Sequence, residues 1–178
     1  EELVHWILQE EFSSALDIGT GSGCIPIVLA RNTNATISAI DVSEKAVTIA
    51  SENAKTNRVE VNFILQDILK TTILPKVDLI VSNPPYVMGK EKELMQENIL
   101  NYEPELALFV SDENPLLFYR KIAELAFVSL NKNGKLFFEI NEQFGQETIE
   151  LLSNIGFVDI ELKKDINDKD RMIKAIKK

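Results

Sequence analysis

Apolar residues along this chain alternate between two rhythms, short β-branched runs and longer stretches with helical spacing. Leu3, Val4, Ile7 and Leu8 predict an amphipathic helix over 3–12, with Trp6 as an anchoring aromatic and His5 at its surface. A short strand is predicted over 15–18. A helix over 24–30 follows, with Pro26 tolerated in its first turn. Residues 36–40 form a β-branched strand. Ser43 then caps a helix that carries Ala46, Val47, Ala50 and Ala54 on one face. Residues 59–65 alternate as a strand, and 77–82 are apolar enough for a buried one. Asn114 and Pro115 open a helix with a stripe through Phe118, Ile122, Leu125 and Ser129, and Lys132-Asn133-Gly134 is expected to stop it. A strand over 135–140, a helix over 147–155 stopped by Gly156, and strands over 157–162 and 171–176 complete the series. The last two flank a polar turn at 165–170, as an antiparallel pair would.

Strand and helix thus alternate through most of the chain. That order predicts a single α/β domain over 1–178, a doubly wound, mostly parallel sheet with helices on both faces. Ligands of such sheets bind beyond the carboxyl ends of the strands. Residues 87–113 show no clear period and are rich in charge, the mark of a binding loop or lid.

Charge narrows the picture. The net charge is −9, from 28 acidic and 19 basic residues, which argues against a free-standing binder of nucleic-acid backbone. One cysteine, Cys24, excludes a disulfide framework and a cysteine-based zinc site, and no metal is expected. No signal peptide and no membrane-spanning apolar run is visible, so a cytoplasmic protein with no membrane partner is expected. The chain opens on Glu1, already inside an amphipathic pattern, as a piece of a longer protein would.

Candidate chemistry lies at the predicted strand ends. Gly19-Thr20-Gly21-Ser22-Gly23 joins a strand to a helix, the context for close backbone approach to a ligand. The third glycine of a dinucleotide fingerprint would fall on Cys24, so a pyrophosphate is not indicated. Asp41, at the end of the second strand, is placed to accept both hydroxyls of a ribose. Asp67 follows the third strand, where an adenine amino group is a fitting donor. Asp17, an acid in an apolar strand, either faces the ligand's positive end or binds loop amides. A ribose and an adenine without a pyrophosphate point to S-adenosylmethionine, with S-adenosylhomocysteine as product.

The fourth strand runs into Asn83-Pro84-Pro85-Tyr86. Two prolines cannot donate to a ladder, so the strand ends in a rigid turn. Asn83 offers a side-chain oxygen, Pro84 a carbonyl, and Tyr86 an aromatic face. These suit a planar group bearing an NH2, whether an amide or the exocyclic amine of a base. Both acceptors would hold its N–H bonds and stabilise positive charge growing on its nitrogen as it takes a methyl group.

With this motif the chain resembles class I S-adenosylmethionine-dependent methyltransferases, and among them the HemK-type release factor glutamine methyltransferases. The likeness runs through LDIGTGSGCIPIVLA, VDLIVSNPPYV, NYEPELAL, GKLFFEINEQFGQ and KDINDKDRMIKA. The Asn-Pro-Pro-Tyr turn is shared with enzymes acting on base amines. The Tyr102-Glu103-Pro104 segment and the closing Asp165 to Asp170-Arg171 pattern are more particular to the glutamine enzymes. The resemblance implies a Rossmann-like sheet of seven strands with an antiparallel C-terminal strand. It also implies N5-methylation of the glutamine in the Gly-Gly-Gln motif of peptide-chain release factors, with ribosomal-protein glutamine methylation as a close relative. By the same match Asp17, Gly19, Thr20, Gly21, Ser22, Gly23, Asp41, Asp67, Ile68 and Asn83 hold the cofactor. Asn83, Pro84 and Tyr86 are implied to be catalytic, and Asn83, Pro84, Pro85, Tyr86 and Glu103 to hold the substrate. Ile68 stands where some members carry an aromatic, and an aliphatic side chain also packs on adenine. The family's N-terminal helical domain, which helps to bind the release factor, is not expected within these residues, nor is stable nucleic-acid binding.

Overall fold

The strands are β1 (Ser14–Ile18), β2 (Thr36–Asp41), β3 (Asn62–Leu65), β4 (Val77–Ser82), β5 (Leu130–Glu139), β6 (Val158–Lys164) and β7 (Asp170–Ile176). They form one sheet in the order β3-β2-β1-β4-β5-β7-β6. β7 runs antiparallel between β5 and β6, and the other pairings are parallel, as the alternation predicted. The computed structural model describes residues 2–84, 87–88, 109–110 and 114–178. Within the expected loop, Val87–Met88 and Phe109–Val110 pair as a short parallel ladder.

Helices α1 (Glu2–Ile7), α2 (Cys24–Asn32), α3 (Glu44–Asn57), α4 (Leu117–Ser129) and α5 (Gly145–Ile155) cover the two faces. The alternation of side chains along each strand sorts the core into two clusters. Ala15, Leu79, Val81 and Phe137 point to the face where α1 and α2 bring Trp6, Ile7 and Leu29. Leu16, Ile18, Ile80 and Phe138 point to the other, where α4 and α5 bring Tyr119, Ile122 and Leu152. Trp6 meets Phe137 edge to face at 5.4 Å, and Tyr119 meets Phe138 likewise at 5.2 Å. Among the described residues no helix is long and apolar enough to cross a membrane.

Several boundaries differ from the sequence reading. α4 begins at Leu117 with Leu116 as its N-cap, so Asn114 does not cap it and Pro115 precedes it. α1 stops at Ile7, because Gln9-Glu10-Glu11 offers nothing to bury, and Glu10 instead pairs with Lys174 at 3.1 Å and Lys135 at 3.3 Å. β3 starts at Asn62, since its partner β2 pairs with it only from Ser38 onward. α4 ends at Ser129 rather than at Gly134: Leu130 is drawn into the core opposite Val77, and Lys132-Asn133-Gly134 lies inside β5 as an irregularity where the register shifts. Gly156, at φ 114°, caps α5 as expected.

At the amino edge of the sheet Asp78 ties three segments together. Its Oδ2 accepts from the Ser13 amide at 2.9 Å and hydroxyl at 2.6 Å, and from the Ser14 amide and hydroxyl at 3.1 Å each. Its Oδ1 accepts from the Asn131 side chain at 2.7 Å. These donors, led by the Ser13 hydroxyl, hold the carboxyl far below its usual range.

Candidate active site

The carboxyl edge of β2, β1 and β4 brings the predicted groups together. Ile18 pairs with Ile40 on one side and with Ser82 on the other, so Gly19, Asp41 and Asn83 follow on neighbouring strands about 4.8 Å apart.

The glycine loop turns back through left-handed conformations at Gly19 (φ 74°), Gly21 (φ 55°) and Gly23 (φ 82°). A Cβ on Gly19 or Gly21 would meet no protein atom within 4 Å, so the space over the loop is open to a ligand. Gly23 answers to packing instead: a Cβ there would lie 3.0 Å from Cβ of Ala50 on α3. The loop is pinned from β2, whose Ile40 carbonyl accepts from the Gly19 and Thr20 amides at 2.9 and 3.1 Å. Asp41 joins in: its Oδ2 accepts from the Gly21 amide at 2.8 Å and its Oδ1 from the Ser43 amide at 2.8 Å. Each oxygen keeps acceptor capacity for a further donor.

Asp17 lies beneath this loop, 1% exposed. Neither of its carboxyl oxygens has a hydrogen-bond partner, and the buried Thr20 hydroxyl has none either. Burial pushes the carboxyl up to about 7. The nearby Thr20 hydroxyl and the Ile18 backbone ease the shift without closing a hydrogen bond, and the charge of Asp41 adds to it. Neither of its oxygens accepts from a loop amide here.

Asp67 is engaged in its own turn. Its Oδ1 accepts from the Leu69 amide at 3.0 Å and its Oδ2 pairs with Lys70 at 3.1 Å, and chiefly Lys70 lowers its pKa. Ile68 is buried in the α4/α5 cluster. The apolar surface left at this end of the edge belongs to Val42, 55% exposed next to Asp41, and to Leu65. Asn83, just past β4, is exposed, and Pro84 after it is buried. Pro85, Tyr86 and Glu103 lie outside the described residues.

The sequence reading missed three contributors. Ser82 is sealed from solvent, and its hydroxyl donates to the Ile18 carbonyl at 2.7 Å, clasping the glycine-loop strand to the Asn83 strand. Asn53 on α3 donates to the Ser22 carbonyl at 2.9 Å. Val42 is an exposed apolar residue beside an acid, a local signal that was there to be read. The other two depend on contacts between residues 64 and 31 positions apart, which no local pattern shows.

A family model, the methyltransferase small domain, matches residues 2–106. The chain belongs to this methyltransferase family. A release factor glutamine methyltransferase of Flavobacterium psychrophilum is 54% identical, the match covering 98% of this chain and 65% of that protein. One from Bacteroides thetaiotaomicron is 46% identical, over 98% of this chain and 64% of that protein. The chain thus spans just under two thirds of the length of either relative. A methyltransferase of known structure from Pyrococcus furiosus superposes with a TM-score of 0.69 at 21% identity, covering 97% of this chain and 81% of that one, a likeness of fold. Sheet order, helix placement and family agree on a class I methyltransferase domain.

Proposed function

We propose that this domain transfers a methyl group from S-adenosylmethionine to the side-chain amide nitrogen of the glutamine in the Gly-Gly-Gln motif of peptide-chain release factors. The observation that carries the reading is the register of Ile18 against Ser82, which sets an open glycine loop and the Asn83 turn side by side, in a chain 54% identical to a protein of that name.

The residues fit the cofactor. The open space over Gly19 and Gly21 and the spare acceptor capacity of Asp41 suit a molecule with an amino-acid end and a ribose, with the orphaned polar atoms of Asp17 and Thr20 buried beside them. Asp41 accepts from the ribose hydroxyls and Val42 covers the adenine, with Asp67 and Ile68 shaping that end. S-adenosylmethionine supplies an electrophilic methyl group on a sulfonium. An amide nitrogen is a poor nucleophile, because its lone pair is delocalised into the carbonyl. The Asn83 side-chain oxygen and the Pro84 carbonyl hold its two N–H bonds, fix its direction of attack and stabilise the charge that develops on it. Pro85, Tyr86 and Glu103 belong to the substrate side of this reading by residue type, an aromatic face being suited to an amide plane.

The test offers labelled S-adenosylmethionine with a Gly-Gly-Gln peptide, a release factor domain, DNA and RNA side by side. Label is expected in the peptide or release factor alone. Asn83→Ala is expected to cut transfer by about 100- to 1000-fold while leaving cofactor affinity within a few-fold. Transfer to nucleic acid alone would overturn the reading in favour of an exocyclic amine, which the net charge of −9 disfavours.

A further inference from the structure

We propose that occupation of the glycine loop by a ligand with a cationic amino-acid end expels one proton from Asp17 into solvent, so that cofactor affinity climbs with pH up to neutrality and then levels. The inference rests on the S-adenosylmethionine reading and says how the protein changes when that cofactor arrives.

Buried polar atoms without partners are few in native proteins, and each one asks for a reason. Asp17 presents two, and Thr20 directly above it in the loop a third. The obvious loop amides are taken, and among the described residues only the Thr20 hydroxyl and the Ile18 backbone lie near enough to favour the charged form. The Gly19 and Thr20 amides donate to Ile40, the Gly21 amide to Asp41, and the Gly23 amide to the Thr20 carbonyl. On either side of Asp17 the paired residues are Ala39 of β2 and Val81 of β4, neither of them polar. Among the described residues the charge that acts on Asp17 is that of Asp41, and it is of the same sign. An unpaired carboxylate in such a place is costly, so the carboxyl of the empty site holds its proton up to about neutral pH.

A cation arriving over the loop reverses the balance. The carboxyl ionises, its O–H proton leaves to buffer, and a carboxylate facing the ligand's ammonium or sulfonium remains in a site that the ligand has closed to water. Asp41 is held on the loop by the Gly21 and Ser43 amides, whereas Asp17 beneath it has no partner. Below about pH 7 the apparent association constant then gains about tenfold per pH unit, the signature of one linked proton.

Titration calorimetry with S-adenosylmethionine at pH 6, in two buffers of different ionisation heat, counts the protons. The cofactor's own α-ammonium has an ordinary pKa of about 7.7–8.0, so at pH 6 it does not contribute. Release close to one proton is expected from the wild type and close to none from Asp17→Asn, which mimics the protonated acid and binds with an affinity flat from pH 5.5 to 7. An infrared difference spectrum of loaded minus empty wild type, which needs no variant, is expected to lose the band of a protonated carboxyl. Binding without proton release, equal release from Asp17→Asn, or a carboxyl band that persists on loading would overturn the proposal and leave the cofactor reading standing. Binding of neither S-adenosylmethionine nor S-adenosylhomocysteine at any pH would overturn the cofactor reading itself.

Discussion

Ser82 ends β4 with its hydroxyl on the Ile18 carbonyl of β1, 2.7 Å away and sealed from solvent. Gly19 of the glycine loop comes next on one strand, and Asn83 on the other. On the proposed reading the hydroxyl sets the spacing between methyl donor and acceptor, which would make Ser82 a positioning residue. A net contribution to stability of about 0.5–1.5 kcal/mol is ordinary for such a bond. Its effect on transfer is expected to be larger, because misplacement by a fraction of an ångström weakens an in-line displacement. Ser82→Ala is expected to lower kcat about tenfold with cofactor affinity nearly unchanged, and Ser82→Thr, which keeps the hydroxyl, to restore most of it. Equal loss in both variants, or a loss confined to KM, would mean that the hydroxyl only fills space.

At the scale of elements, α3 is the part that shapes the glycine loop. Ala50 and Ala54 are its buried residues, and Ala50 lets Gly23 approach closely, while Asn53 one turn along holds the Ser22 carbonyl. The small side chains on this face were visible in the sequence as an amphipathic stripe. That the stripe supports the loop was not, because it shows only when α3 is laid against the start of α2. Gly23→Ala would drive a Cβ to within 3.0 Å of Ala50 in a left-handed conformation, and is expected to cost about 1–3 kcal/mol together with most of the cofactor affinity. Asn53→Ala leaves packing intact, and is expected to weaken cofactor binding several-fold with little change in melting temperature. Calorimetry and thermal melts on both variants separate the two contributions. The strand and helix alternation was legible for the same reason that α3 was, since each element carries its own period. What failed was punctuation. Lys132-Asn133-Gly134 is a good helix stop in isolation, yet Leu130 had already left α4 for the core. Tertiary burial outweighs a local stop signal, and no window of sequence contains both.

For the whole molecule, two aspartates at opposite edges of the sheet set opposing pH dependences. Asp17 at the carboxyl edge has its pKa raised from 3.8 to about 7, so between about pH 4 and 7 the folded chain binds more protons than the unfolded one, and stability falls as pH rises. Asp78 at the amino edge has its pKa depressed, so its contribution is present above about pH 4, the range of an unfolded Asp, and is lost as pH falls through its lower folded value. The empty protein is therefore expected to be most stable in mildly acidic solution, close to where the Asp17 decline begins. Saturating S-adenosylmethionine is expected to flatten that decline, because Asp17 is already ionised in the complex. Asp78→Asn is expected to cost about 2–4 kcal/mol at pH 7, as several bonds to one charge are weakened together, and to lose the acid-side slope. Asp17→Asn is expected to remove the decline between pH 5 and 7 and to be more stable than the wild type at pH 7. Denaturant melts of the three proteins across pH 3 to 8 decide it, read as differences from the wild type so that the other carboxylates cancel. A wild type whose stability tracks that of Asp17→Asn from pH 5 to 7 would mean that the buried carboxyl is ionised in the empty site, and the electrostatic account of the glycine loop would have to be rebuilt around a partner for it.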